Sequence, residues 1–136
     1  MKQTLFNTAA GLFGAFISYA YGGWTDLLGF FLLAMAIDYV TGVAASIREG
    51  TGLKSEVGYW GLFRKILALL AILLAHRLDV VVGTDLIMTG AIYAFLANEL
   101  LSITENYGRL GLPLPPVITN AIAVLKNRTG SGGDSK

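Results

Sequence analysis

The stretch Leu27–Ile47, LLGFFLLAMAIDYVTGVAASI, decides the fold class of this chain. A helix needs about 20 predominantly apolar residues to cross a hydrocarbon core that is about 30 Å thick. This stretch reaches that length and contains only one ionisable side chain, Asp38. It therefore predicts a helix that crosses a lipid bilayer.

Three further apolar blocks accompany this stretch, at Leu5–Tyr21, Phe63–Val82 and Leu86–Thr104. Together the four blocks predict an all-α integral membrane protein with four transmembrane helices. The first block is short and rich in glycine, so it either spans the membrane or lies in the interface as an amphipathic helix.

The composition agrees with lipid as the solvent. Of the 136 residues, 54% are hydrophobic and 14% are charged, whereas a soluble domain carries about 25% charged residues. The chain has no cysteine and one histidine, which excludes disulfides, thiol nucleophiles and histidine-rich metal sites. Sequence motifs of hydrolases, nucleotide-binding proteins and metalloproteases do not occur. We expect no enzyme activity, no cofactor and no metal.

The C-terminal part of the chain differs from the apolar blocks. Three prolines between residues 113 and 116 end the fourth helix, because proline lacks the amide hydrogen that a helix interior requires. Residues 116–126 then resume an amphipathic pattern, which predicts a short cytoplasmic helix. Residues 1–126 are thus expected to form one membrane-embedded domain, and residues 127–136 are rich in glycine and serine, which predicts a flexible polar tail.

Basic residues predict the orientation of the chain. With both termini in the cytoplasm, nine of the ten lysines and arginines lie on the inner side, and only Arg77 lies toward the outside. Cytoplasmic segments of membrane proteins carry such an excess, so we expect a multi-pass topology with both termini inside. The net charge of +1 indicates no nucleic-acid partner. The nine inner residues are Lys2, Arg48, Lys54, Arg64, Lys65, Arg109, Lys126, Arg128 and Lys136.

Small residues recur at four-residue spacing in three of the apolar blocks. In lipid, helices associate where small residues allow their backbones to approach closely. These stripes either pack the helices of one chain or join copies of it, and their number favours a homo-oligomer. The candidate packing residues are Gly14, Ser18, Gly42, Gly90, Ala94 and Ser102.

Ionisable groups inside the predicted spans are candidate functional residues, because each costs about 2.5–3.5 kcal/mol at a helix centre. From their depths we expect Asp38 to meet His76 or Arg77 of a neighbouring span or subunit, and Arg64 or Lys65 to reach Glu99. Such groups fix a bundle, line an aqueous lesion or relay protons or cations. The full set of polar candidates is Asp38, His76, Arg77, Asp79, Asn98 and Glu99.

Four motifs in series cover roughly Asp38 to Pro115 and resemble the holins of phage lysis and toxin secretion. They are Asp38-Tyr39-x-Thr41-Gly42, Gly58-x-x-Gly61-x-x-x-Lys65, Ala75-His76-x-x-Asp79 and Ala97-Asn98-Glu99-x-x-Ser102-x-x-Glu105-Asn106-x-Gly108-x-x-Gly111-x-Pro113.

The resemblance implies a protein of the bacterial cytoplasmic membrane that accumulates there and then assembles into lesions. In bacteriophage lysis such lesions release an endolysin, and in toxin secretion they release a toxin. The implied partners are other copies of the chain and the lipid bilayer, with the endolysin or toxin as a passenger that is not stably bound. Two rival hypotheses are a small proton-coupled transporter, with Asp38 or Glu99 as the coupling site, and an assembly subunit that forms no pore.

Overall fold

The structure, a computed structural model, describes residues 1–51 and 55–130, with side chains for residues 1–51 and 58–129. The described residues form five α-helices joined by short connections, as the all-α prediction requires. They are α1 (Lys2–Tyr21), α2 (Asp26–Arg48), α3 (Ser55–Val82), α4 (Leu86–Arg109) and α5 (Pro116–Gly130).

Local sequence explains where the helices begin and end. The side chain of Thr25 accepts a hydrogen bond of 3.1 Å from the amide of Leu28 and so caps the start of α2, as threonine commonly does. Pro116 is the first residue of α5, a position where its fixed φ suits a helix and its missing amide hydrogen costs nothing. The first four helices each end at or shortly before a glycine with positive φ, a conformation that glycine adopts without steric cost. These glycines are Gly22, Gly50, Gly83 and Gly111.

Two helices extend beyond the predicted segments. Helix α3 begins at Ser55, eight residues before the predicted span Phe63–Val82, so Arg64 and Lys65 lie inside a helix. Helix α5 continues to Gly130, so residues 127–130 are helical and do not belong to a flexible tail. Residues 131–136 of the predicted tail, and Lys54, lie outside the described residues.

Two helices are long and apolar enough, by length and composition, to cross a membrane. They are α2, with a mean hydropathy of 1.9, and α4, with 1.6. Helix α3 carries ionisable side chains near both of its ends, and α1 contains several small polar residues. Among the described residues, two of the four predicted spans are thus candidates for crossing a membrane by length and composition.

Helix α4 is the centre of the bundle, since it packs against α2, α3 and α5. Phe31 of α2, Ile72 of α3 and Ile92 and Leu96 of α4 are almost completely buried and form the core. The ring centroids of Phe31 and Phe95 are 6.5 Å apart, so the aromatic packing joins the same two helices. In lipid, side chains of this kind stabilise the bundle through van der Waals packing between helices rather than through removal from water.

Helix α1 is the least embedded element. Among the described residues it contacts α3 alone, and only its last turns take part. Ala20 is buried, Ile17 and Tyr21 are partly buried, and every side chain from Lys2 to Phe16 is exposed. Most of α1 therefore has no partner among the described residues.

Candidate functional site

A three-residue ionic cluster joins the three central helices. The Nζ atom of Lys65 donates to Oδ2 of Asp38 at 2.7 Å and to Oε2 of Glu99 at 2.6 Å. The Lys65 side chain is 12% exposed, and each carboxylate side chain is 15% exposed. Such burial requires the charges to be paired, because an isolated ion away from water is far more costly than a neutral group.

Helix direction explains why these residues meet. Helices α2 and α4 run parallel, since Phe31 lies by Phe95 near one end and Glu49 lies by Arg109 at the other. Helix α3 runs in the opposite direction, and Lys65 lies level with the middle of α2 and α4. The cluster therefore depends on how α3 packs against α2 and α4.

Asn106 extends the cluster toward the end of the bundle where α2 and α4 finish. Its Nδ2 atom donates to Oδ1 of Asp38 at 3.0 Å, to the Asp38 carbonyl at 3.1 Å and to Oγ1 of Thr41 at 3.0 Å. Its Oδ1 atom accepts from Nη1 of Arg109 at 3.3 Å. Asn106 is buried, and it packs beside Gly42, where an added Cβ would lie 3.5 Å from Nδ2. This side chain thus holds α4 to α2.

A bidentate ion pair closes the bundle at the C-terminal ends of α2 and α4. The Nε and Nη2 atoms of Arg109 donate to the two carboxylate oxygens of Glu49, each at 2.9 Å. The hydrogen bond from Arg109 lowers the pKa of Glu49 below its usual range, and partial desolvation opposes that shift. This pair is more exposed than the Lys65 cluster, so it contributes less to stability.

An open cleft lies over the cluster, between α2, α3 and α4. Its volume is about 420 Å³. Its wall is mixed: the ionic cluster and Asn106 lie beside Phe95, Ala68 and Val43, and Gly42, Gly58 and Gly61 leave room for close approach. The remaining polar residues of the wall are Tyr39, Ser46, Arg64, Asn98, Ser102 and Arg109.

Asp79 has a structural role at the opposite end of the bundle, near the C-terminal end of α3. It is 3% exposed, and its carboxylate accepts from the amides of Ile87 at 2.9 Å and Met88 at 2.7 Å and from Oγ1 of Thr84 at 2.6 Å. These amides belong to the first turn of α4, where backbone donors have no partner within the helix. Asp79 of α3 therefore caps α4.

His76 and Arg77 contact the end of α1, and the prediction that Asp38 meets one of them within the chain is wrong. The imidazole lies against Gly22, where an added Cβ would be 2.8 Å from Cε1. The Arg77 guanidinium lies 4.2 Å from the centroid of the Tyr19 ring and donates to the Tyr19 carbonyl at 3.4 Å. Asp38 instead pairs with Lys65, which lies 11 residues, about 16 Å, before His76 on α3. The expectation that Lys65 reaches Glu99 is confirmed.

The candidate packing residues divide into two groups. Gly42 and Ser102 lie inside the bundle at the cleft. Gly14, Ser18, Gly90 and Ala94 are exposed, as is the polar candidate Asn98. An added Cβ at Gly14 or Gly90 would have no atom within 4 Å. These exposed stripes do not pack the helices of one chain, and their use in contacts between copies stays a prediction.

Sequence reasoning assigned no role to Asn106 and only a conditional role to Lys65. Both residues occur in the motifs that carry the family resemblance, and that was the signal available for them. Within the described ranges no group of three or more histidine, cysteine, aspartate or glutamate residues has the geometry to hold a metal ion.

Comparison with known proteins identifies the group to which this architecture belongs. The sequence model of the bacteriophage holin family matches residues 15–127, which include the cleft and its ionic cluster. The chain belongs to the bacteriophage holin family. Holins are not an enzyme family, and the match supports a location in a membrane.

Relatives occur in bacteria and in a phage. A probable holin of Bacillus phage phi105 is 34% identical over 77% of this chain and 78% of its own length. An uncharacterized protein of Halalkalibacterium halodurans is 38% identical over 91% of this chain and 96% of its own length. Another of Listeria monocytogenes is 34% identical over 87% of this chain and 84% of its own length. No solved structure matches the chain.

Proposed function

We propose that this chain is a holin that assembles with copies of itself in the bacterial cytoplasmic membrane and opens lesions there. The passenger is an endolysin in host-cell lysis or a toxin in secretion, and it crosses without stable binding. The proposal is supported by membership of the holin family and by the similarity to the probable holin of phage phi105.

The observation that carries the proposal is the ionic cluster of Lys65, Asp38 and Glu99 in an open cleft between apolar helices. Paired inside one chain, these groups are tolerated in lipid while the protein accumulates. Exposed to water, the same groups become strongly solvated. A change of packing that admits water to the cleft would thus stabilise an open, hydrated assembly.

The proposed topology has α1 to α4 crossing the membrane as one embedded domain, with both termini and α5 in the cytoplasm. With Arg64 and Lys65 assigned to the cleft, seven of the nine inner basic residues still flank the inner ends of the helices, as the positive-inside rule requires. The alternation of α2, α3 and α4 is compatible with this arrangement. Bulky apolar side chains exposed on α1 and α3, such as Phe13, Phe16, Leu70 and Leu74, would face lipid.

Inducible expression in a bacterial host tests the proposal. Membrane potential and leakage of a co-expressed cytosolic protein are followed together after induction. A sudden loss of potential after a delay, with leakage of the protein, is the expected result. Loss of potential without leakage would limit the chain to small pores, and an intact potential would favour the transporter or the assembly subunit.

Charge variants connect this assay to the cleft. Asp38→Asn is expected to change the delay before the potential is lost, because Lys65 loses one of its two carboxylates. Asp26→Asn is the matched control, since Asp26 is exposed in the first turn of α2. An unchanged delay in Asp38→Asn would remove the cleft from the mechanism.

A further inference from the structure

Helix α1 has two distinct faces along its length. At 100° per residue, one half of the helix from Gln3 to Ala20 carries only small or polar residues, and the other half carries only apolar residues and Tyr19. Tyr21, which packs on α3, lies on the first half at the end of the helix. The first face consists of Gln3, Thr4, Asn7, Thr8, Ala10, Gly11, Gly14, Ala15 and Ser18. We call it the small-polar face.

The small-polar face is suited to a protein surface and not to water. Interfacial helices carry lysine and arginine on the face that meets water, whereas no residue from Gln3 to Tyr21 is charged. Within the described structure this face has no partner: its residues are exposed, and an added Cβ at Gly11 or Gly14 would meet no atom within 4 Å.

The cleft is the complementary surface. The side chain of Asn98 lies in its wall, on the same side as the ionic cluster. This side chain is exposed and makes no hydrogen bond in the described part of the chain. In hydrocarbon an amide without partners is unfavourable. Gly58 and Gly61 on the α3 side of the wall would allow another helix backbone to approach closely.

Length and depth also match. The unpacked part of α1, Lys2–Phe16, is about 21 Å long at 1.5 Å per residue. The part of α4 that lines the cleft, Phe95–Arg109, contains the same number of residues and has the same length. In the proposed topology Lys2 and Arg109 both lie at the cytoplasmic side, so Gly11 and Asn98 lie at similar depths, about 14 and 16 Å from those ends.

We propose that the small-polar face of α1 docks into the cleft of a second copy of this chain. Its own cleft is an unfavourable target, because α1 is a continuous helix whose last turn is held on α3. Tyr21 donates to the Leu69 carbonyl at 3.1 Å, and Arg77 holds Tyr19. The contact joins different surfaces of the two copies, so it extends from copy to copy into a ring or filament. This inference rests on the proposed self-assembly and names the surfaces that carry it.

Disulfide cross-linking tests the contact without interference, since the chain has no cysteine. Gly11→Cys and Asn98→Cys are made in separate copies, one with a longer tag, and both copies are expressed together in membranes. Oxidation is expected to produce a mixed dimer of distinct size. Phe13→Cys replaces Gly11→Cys as the control, because Phe13 is equally exposed but lies on the opposite face of α1. A second pair, Asn7→Cys with Ser102→Cys, is expected to cross-link as well.

Several results would overturn the contact. Mixed dimers as abundant with Phe13→Cys as with Gly11→Cys would mean random collision, and dimers of Gly11→Cys alone would mean that α1 packs on α1. A cross-linked monomer from both cysteines in one chain would place α1 in its own cleft. If neither pair cross-links in membranes where the protein still opens lesions, the contact is wrong and the holin function stands. If the pairs cross-link but no lesions open, the contact stands and the holin function is wrong.

Discussion

The Nζ atom of Lys65 lies 2.7 Å from Oδ2 of Asp38 and joins α3 to α2 by an ion pair midway along the bundle. Because the same lysine also pairs with Glu99, removal of this one side chain leaves two half-buried carboxylates without a cation. Lys65 is therefore the most sensitive position of the cluster.

Lys65→Met is expected to destabilise the protein by about 3 kcal/mol, as loss of one partner from a buried ion pair does. Arg64→Met removes the same charge from an exposed neighbour and is expected to change stability by less than about 0.5 kcal/mol. Unfolding of the purified protein in detergent measures both. Equal stability of the two variants would contradict the role of the cluster.

Asn106→Ala is expected to cost about 1–3 kcal/mol, because the carboxylate of Asp38 and the hydroxyl of Thr41 lose a buried donor. Asn98→Ala is the matched control on the same helix, with an exposed amide. The same unfolding assay on the monomeric protein compares them. A larger loss in Asn98→Ala would show that the buried amide is not what holds α4 to α2.

Asp79→Ala is expected to loosen the first turn of α4 and to cost about 2 kcal/mol, the upper range for loss of a helix cap. Asp85 precedes α4 directly but makes no capping hydrogen bond with its side chain, so Asp85→Ala serves as the control. Hydrogen exchange at the amides of Ile87 and Met88 is the measurement. If exchange accelerated only in Asp85→Ala, the cap would belong to Asp85 and not to Asp79.

Gly22→Ala is expected to be more harmful than Gly23→Ala. Both glycines have positive φ, 74° and 110°, which costs an alanine about 1 kcal/mol or more. Only at Gly22 would the new Cβ also collide with His76. The loss of stability caused by the collision should disappear when Gly22→Ala is combined with His76→Ala. Thermal unfolding is measured for the parent, the two single variants and the double variant. Strictly additive losses would mean that the imidazole is not in contact.

The ion pair of Glu49 with Arg109 is expected to make stability depend on acid pH. Since Arg109 lowers the pKa of Glu49 in the folded protein, the pair stabilises the fold above the unfolded value of about 4.3, and that contribution is lost as the pH falls below it. The difference in melting temperature between the parent and Glu49→Gln should therefore be present near neutral pH and vanish in acid. If this difference in melting temperature grew in acid, the pKa of Glu49 would be raised rather than lowered by folding, which would contradict the pairing with Arg109.

Some of the architecture was predictable because it depends on local composition. Leu27–Ile47 and Leu86–Thr104 coincide closely with α2 and α4, since long apolar runs between polar residues have few alternatives to a helix in lipid. The start of α3 was not predictable in this way. Residues 55–62 mix charges, aromatics and glycines, so their composition does not predict a helix. The structure shows that α3 nevertheless includes them.

The residues of the candidate site also divide into those that the sequence identifies and those that it does not. Asp38 and Glu99 were identifiable, since a carboxylate inside an apolar run is costly and needs a reason wherever it lies. Their partners were not, because spacing along one helix does not give the rotation and height of another. Lys65 was expected near Glu99 alone, and Asn106 had no assigned partner.

Composition and the length of each apolar run are enough to establish that this chain is helical and apolar enough for lipid, and which ionisable groups have to be neutralised there. The packing of the helices is needed to see that Lys65 neutralises both carboxylates, that Asn106 joins α4 to α2 and that Asp79 caps α4. Each of these contacts joins residues from two helices, and it is set by how those helices pack rather than by either sequence alone.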